Sequence, residues 1–348
     1  MDSIPMEALS ALVGLGGGLV LGLAARLGDF CTLGALESAA YGADQRRLRL
    51  WGVVLGVAIA GAFLAEMLGF ADLGATFYLT LEWNPLASIF GGLLFGYGMA
   101  MAGNCGFGAL VRFGGGDLRS LVVVVVMGIF AFVTLSGPLG PLRTLLFEQI
   151  ETPEPQGIAH WLAAQTGLAP ITFALPVAAA LMVWALVHAP LRRDPRRILW
   201  GVAAGLAIVF CLVGTTAVYR ESLGAVGVEA PSFTAPLGRT ILYFMTSTAG
   251  GITFSVGLVA GVLAGAFSGS LLRGMFRWEA CEDPRELGRQ VSGAAMMGIG
   301  GTVAIGCSIG QGVSAMSVLA FSAPVTLGAI IVGGLVGLRH LIGGFQPG

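Results

Sequence analysis

Two cysteines in this sequence share a frame. Gly96-x-Gly98, six residues, then Cys105-x-x-Gly108 recurs as Gly298-x-Gly300, six residues, then Cys307-x-x-Gly310. Gly91 and Gly293 match at the same offset. Single glycines align by chance in a chain that holds 56 of them; a cysteine inside the whole frame does not. A thiol recognises soft partners better than a hydroxyl does, so the chemistry at hand is that of soft metals or sulfur-bearing anions. Copper(I) asks for several thiolates and thioethers at once. Met99, Met101, Met296 and Met297 keep that option open, although methionines at these spacings ordinarily pack. A thiol enzyme needs an activating base or a second thiol, and no His stands near Cys105 or Cys307 in the sequence. No C-x-x-C and no zinc spacing occurs. Neither a resident metal nor a cofactor is expected.

The remaining cysteines divide. Cys31 closes the first apolar stretch, in Arg26-Leu27-Gly28-Asp29-Phe30-Cys31-Thr32. Cys211, between Phe210 and Leu212, reads as a small buried hydrophobe. Cys281 lies in the polar run Trp278–Asp283 and reads as incidental.

The elements that hold these residues must be membrane helices. The chain has 348 residues, 56% hydrophobic and 11% charged, where a soluble domain carries roughly 25% charge. Its mean hydropathy is +0.87 and its net charge −1. These values exclude an ordinary soluble domain, a disordered chain and a nucleic-acid binder. All 18 positive side chains are Arg. Without Lys there is no Walker A loop and no pyridoxal Schiff base, so the class is a membrane protein, surrounded by a lipid bilayer, that neither hydrolyses ATP by a P-loop nor depends on pyridoxal phosphate; a transporter rather than an enzyme is expected. A span needs about 20 apolar residues. The pattern predicts an all-α polytopic fold of about nine transmembrane helices, centred near 20, 60, 94, 128, 180, 208, 258, 299 and 333. The third and eighth read as short, glycine-rich, broken or re-entrant helices. Between the fourth and fifth, residues 138–170 read as an extracytoplasmic segment with one or two short interfacial helices.

Arginine sets the orientation. Arg46, Arg47, Arg49, Arg112, Arg119, Arg192, Arg193, Arg196, Arg197, Arg273, Arg277, Arg285, Arg289 and Arg339 fall on alternate connections. The positive-inside rule makes that side cytoplasmic, with the N-terminus periplasmic and the C-terminus cytoplasmic. The third and eighth helices then run in opposite directions. That is the arrangement of an inverted repeat, with halves near 12–137 and 171–342 inside one transporter domain spanning 1–348. Asn104-Cys105-Gly106 and Gly306-Cys307-Ser308 become irregular turns lining a shielded cavity. Two small-xxx-small ladders, Gly14/Gly18/Gly22 and Gly257/Gly261/Gly265/Gly269, predict close helix packing. A looser alignment sets Gly18 and Gly22 against Gly257 and Gly261, and Cys31 against Ser270.

Phe95-Gly-Tyr-Gly-Met-Ala-Met-Ala-Gly-Asn-Cys-Gly-Phe-Gly-Ala-Leu-Val-Arg112 resembles the first signature of the YeeE/YedE family. Met297-Gly-Ile-Gly-Gly-Thr-Val-Ala-Ile-Gly-Cys-Ser-Ile-Gly-Gln-Gly312 resembles the second, and Arg26–Gly34 is similar to the family's first-helix motif. The resemblance runs from about Gly14 to Gly337. It implies uptake of thiosulfate, or a related sulfur compound, across the bacterial inner membrane, with the substrate passed along Cys31, Cys105 and Cys307. A separate cytoplasmic sulfurtransferase of the TusA type is the implied partner. Some relatives are linked to selenium or other sulfane sulfur. A membrane thiol enzyme, either a sulfurtransferase or an oxidoreductase, and a soft-metal transporter are the competing readings.

For an anionic cargo, desolvation argues for neutral thiols that donate weak S–H bonds. Half-helix N-termini would add N–H donors, with Gly106, Gly108 and Gly310 permitting close backbone approach. Thr32, Asn104, Ser308 and Gln311 are the expected polar helpers, and Arg26 the expected attractor.

Overall fold

The computed structural model describes residues 5–248, 250–280 and 283–344; Cys281 lies outside them. Among the described residues there is no strand, only isolated bridges between loops. The helices are α1 (Met6–Gly28), α2 (Thr32–Ala40), α3 (Arg46–Met67), α4 (Phe77–Thr80), α5 (Pro85–Ala102), α6 (Gly106–Gly114), α7 (Leu118–Leu135), α8 (Gly140–Leu146) and α9 (Ile158–Thr166). They continue as α10 (Ile171–Leu186), α11 (Ala189–Arg192), α12 (Pro195–Glu221), α13 (Ala235–Thr246), α14 (Phe254–Leu272) and α15 (Pro284–Val303). A π-helical segment, Gly310–Ala315, and α16 (Ser322–Gly344) complete the chain.

Each expected centre falls inside a helix, and α8 and α9 occupy the 138–170 segment. Seven stretches are long and apolar enough to cross a membrane, with α1–α2 and α5–α6 each counted as one. The other two helices fall short for different reasons. α10 has only 16 residues, and α15 opens on Arg285, Glu286 and Arg289. Long helices start on a shared device: Asn84, Asp194 and Asp283 each accept a backbone N–H, and each is followed by Pro at the first helical position. That proline gives up a donor the helix start leaves unused anyway.

Helix packing falls into matched sets. α1 packs on α14 as α12 packs on α3. α2 meets α3 and α16 as α13 meets α14 and α7. α5 lies on α16 as α15 lies on α7, and α6 touches α14 and α7 as the π-helical segment touches α3 and α16. α1 with α12, and α5 with α15, pair across the centre. The matched sets therefore cover Met6–Leu135 and Pro195–Gly344. α10 packs on α3 without a counterpart.

This pairing corrects the looser alignment. The two glycine ladders are not equivalent positions but opposite faces of one contact. A Cβ on Gly14, Gly18 or Gly22 would strike the α14 backbone at Phe254, Leu258 or Val262, and one on Gly257, Gly261 or Gly265 would strike α1 at Ala11, Leu15 or Leu19. Ser270 is not the partner of Cys31; it accepts a bond from Arg26 at 2.6 Å. The Cys105/Cys307 frame does superpose. A Cβ on Gly91 would sit 2.6 Å from the Gly300 carbonyl and one on Gly300 2.6 Å from the Gly91 carbonyl; Gly98 and Gly293 show the same reciprocity at 2.6 Å. Gly91, Gly98, Gly293 and Gly300 are the points where α5 and α15 cross, whereas Gly96 packs on α16 and Gly298 on α7.

The two ends differ in charge. At one, Asp29 accepts from Arg197 at 2.9 Å and Arg273 at 3.4 Å, and Arg119 pairs with Asp117 and Glu279. At the other, Arg143 donates to Gln149 and Arg239 faces Glu229.

Candidate functional site

Both cysteine turns are helix breaks. α5 stops at Gly103, where φ is +74°, and the chain restarts as α6 with Cys105 as its N-cap. α15 stops before Ile305 (φ +58°) and Gly306 (φ +153°), and restarts after Cys307. A helix start has N–H groups without intrahelical partners, and here sulfur takes one at each turn. Cys105 Sγ accepts from Gly108 N at 3.3 Å, and Cys307 Sγ from Gly310 N at 3.3 Å. The matched glycines of C-x-x-G are therefore the residues that cap onto the thiol.

The turns meet. The Cys105 thiol donates to Thr32 Oγ1 at 3.8 Å, and the Thr32 hydroxyl donates to Ser308 Oγ at 3.0 Å. All three side chains are buried, so a polar line runs from the first turn to the neighbour of Cys307. Cys31, the N-cap of α2, joins on the near side. A Cβ built on Gly108 would lie 3.5 Å from Cys105 Sγ and 3.6 Å from Cys31 Sγ. Gly106 is tighter: its Cβ would meet Met127 Sδ at 2.6 Å and the Phe233 carbonyl at 3.6 Å.

The other expected helpers divide. Gln311 braces the second break. Its amide donates to the Ala304 and Ile305 carbonyls at 3.0 and 3.1 Å and accepts from Ser322. Arg26 engages Ser270 and crowds Gly115. Asn104 is buried beside Cys105, and its Oδ1 has no partner among the described residues. Thr234 Oγ1 and Trp51 Nε1 are buried and unpartnered in the same sense. These three atoms are polar groups that a guest between the turns would find without a protein partner. Among the described residues, no group of three or more His, Cys, Asp or Glu is placed to hold a metal ion.

Several residues here are invisible to motif reading. Phe233 N donates to Cys307 Sγ at 3.2 Å, and Ser232 Oγ lies 3.9 Å from that sulfur. Rings link the turns: Trp51 to Phe30 at 5.0 Å, Phe30 to Phe107 at 6.4 Å, and Phe107 to Phe233 at 4.9 Å. The loop before α13 is the counterpart of the loop before α2, so Phe233-Thr234 stands where Phe30-Cys31 stands in the first set. With threonine in place of cysteine, nothing in the sequence advertises it. A cavity of about 410 Å³ opens on this side, lined by Tyr78, Ser232, Thr234 and Gly306 at its inner end.

Comparison with known proteins finds a family and two similar transporters. A family model described as sulphur transport matches residues 27–336. The chain is similar to the thiosulfate transporter TsuA of Spirochaeta thermophila, 26% identical over 275 residues that cover 74% of this chain and 79% of that protein. It is also similar to the thiosulfate transporter TsuA of Escherichia coli, 24% identical over 342 residues covering 92% of each.

Proposed function

Because this chain belongs to the sulphur transport family, we propose that it imports thiosulfate, or a closely related sulfur anion, through the passage between its two cysteine turns. The bilayer it occupies is the bacterial inner membrane. The Asp29–Arg197–Arg273 end faces the cytoplasm and the cavity end faces outward, which puts the N-terminus outside and the C-terminus inside. The observation that carries the reading is the buried line Cys105–Thr32–Ser308, which joins turns from opposed halves beside Cys31 and Cys307.

The physics fits a sulfur dianion. Moving it inward against the membrane potential costs about 2.3 kcal/mol per charge per 100 mV, so the site must soften the passage without trapping the ion. Weak S–H donors do that, because a conducted ion must also leave. Backbone N–H groups at the two restarts add donors aimed into the break. Cys31, Cys105 and Cys307 pass the terminal sulfur onward, with Thr32, Asn104 and Ser308 lining its route. Gln311 and Arg26 hold the frame. A cytoplasmic sulfurtransferase of the TusA type is the consumer.

Radiolabelled thiosulfate uptake into proteoliposomes, with and without an imposed proton gradient, tests the reading. Uptake well above that of protein-free vesicles is expected. A purified, folded chain that accumulates no thiosulfate under either condition overturns it.

A further inference from the structure

The outer cavity holds charge that the passage lacks. Arg239, on α13, and Glu229, in the loop before it, both line the cavity, and their charged atoms stand 3.7 Å apart. That is an ion pair without a hydrogen bond. The backbone of Glu229 is fixed: its N–H donates to Thr215 Oγ1 at 3.2 Å and its carbonyl accepts from the same hydroxyl at 3.0 Å. The loop that carries the carboxylate is therefore anchored beside Arg239. Three residues on, Ser232 reaches Cys307, and the buried, unpartnered hydroxyl of Thr234 also lines this space. A loosely paired cation, its carboxylate partner and an idle hydroxyl thus share one chamber above the second cysteine turn.

We propose that Arg239 is the loading site for the incoming anion and that Glu229 is the group it displaces, taking up a proton as the anion binds. The step balances: the carboxylate forms an O–H bond with one proton released by the outer solvent or buffer, the anion replaces it at Arg239, and no heavy-atom bond and no oxidation state changes. The loaded chamber gains one net negative charge instead of two. Glu229 faces Arg239 from α13 and Tyr78 from α4; α12 offers it the uncharged Thr215, and Gln149 lines the cavity without a charge. Burial pushes the Glu229 carboxyl above the usual carboxylate range, and Arg239 pulls it down. When Arg239 turns to a ligand, burial acts with less opposition.

The inference rests on the transport reading, and one experiment separates them. Thiosulfate is titrated calorimetrically into the purified full-length chain in buffers of different ionisation enthalpy, across mildly acidic to mildly alkaline pH. The wild type should take up close to one proton per anion, and its Kd should rise toward the limit of about tenfold per pH unit for one linked proton. Glu229→Gln should bind with no proton uptake and a flat pH profile. Arg239→Gln should weaken binding at least tenfold, while Arg239→Lys keeps proton-linked binding. Wild-type binding without proton uptake, or Glu229→Gln retaining it, overturns the inference alone. A wild type that neither binds nor transports thiosulfate overturns the transport reading, and the inference with it.

Discussion

The Cys105 and Cys307 turns begin from the same frame and end in different surroundings. Each sulfur accepts one N–H from the glycine three residues on. Beyond that, Cys105 has side chains for neighbours, namely Thr32 and the thiol of Cys31, and it starts a nine-residue α-helix. Cys307 has a second backbone donor, Phe233 N, and leads into a π-helical segment beside the cavity. Beyond the shared cap, the first turn offers only rotatable groups, whereas the second has a fixed backbone donor in addition to the Ser232 hydroxyl. On the proposed reading, a fixed donor suits capture of an ion arriving from a wide chamber, whereas rotatable thiols suit handing it on. The matched helix sets supply the scaffold, and on the proposed reading the departures from symmetry supply the direction.

The largest expected effect follows from that difference. Cys105→Ala removes the thiol at the head of the polar line and frees only one N–H, so uptake should fall about 100-fold, or about 2.7 kcal/mol of barrier. Cys307→Ala also removes a thiol, but it leaves two N–H groups, from Phe233 and Gly310, pointing at the space where the sulfur stood. Those can hold an anion, and the loss should be nearer tenfold and mostly in KM. Initial rates over a range of thiosulfate concentrations check both; equal losses with equal KM would break the comparison.

Glycine substitutions sharpen it further. Gly108→Ala adds a methyl at ordinary contact distance from two sulfurs. It should fold as well as the wild type, or gain up to about 1 kcal/mol from helix propensity, while uptake falls severalfold because the gap between the thiols is filled. At Gly310 the same methyl would lie 2.6 Å from Ser232 Oγ and 3.0 Å from the Tyr78 hydroxyl. Gly310→Ala should therefore lose about 1–3 kcal/mol of stability to overpacking as well as uptake. Thermal unfolding beside transport separates the two: one variant stable and slow, the other unstable and slow.

Why some of this was legible in the sequence and some was not follows from what each pattern reports. The G-x-G-x6-C-x-x-G frame marks a helix crossing followed by a capped restart, and both features need those residue types at those positions. It located the breaks and paired α5 with α15. The ladders of α1 and α14 misled because small-xxx-small spacing records contact, and two helices in contact share it whether or not they are related by the repeat. α13 was missed because twelve residues opening on Ala235-Pro236 and carrying Arg239 do not read as a span. Its preceding loop was missed because Thr234 replaces the cysteine of its counterpart. Gln311 was legible as polar and near the break, but only the geometry gives its bracing role, since its partners are backbone carbonyls that leave no trace in the sequence.

The smallest effect is the control that the thiol argument requires. Cys211 is as buried as Cys105, yet it lies on α12 against Gly17 of α1, where a Cβ would overlap its sulfur. It fills a contact between two helices and touches neither turn. Cys211→Ala should cost about 1 kcal/mol or slightly more as a small cavity and leave the KM for thiosulfate unchanged. The rate per folded molecule should match the wild type once the amount of folded protein is measured. If removing this packing thiol lowered uptake as much as removing Cys105 does, sulfur would matter here for helix packing in general, and the difference between the two turns would lose its functional meaning.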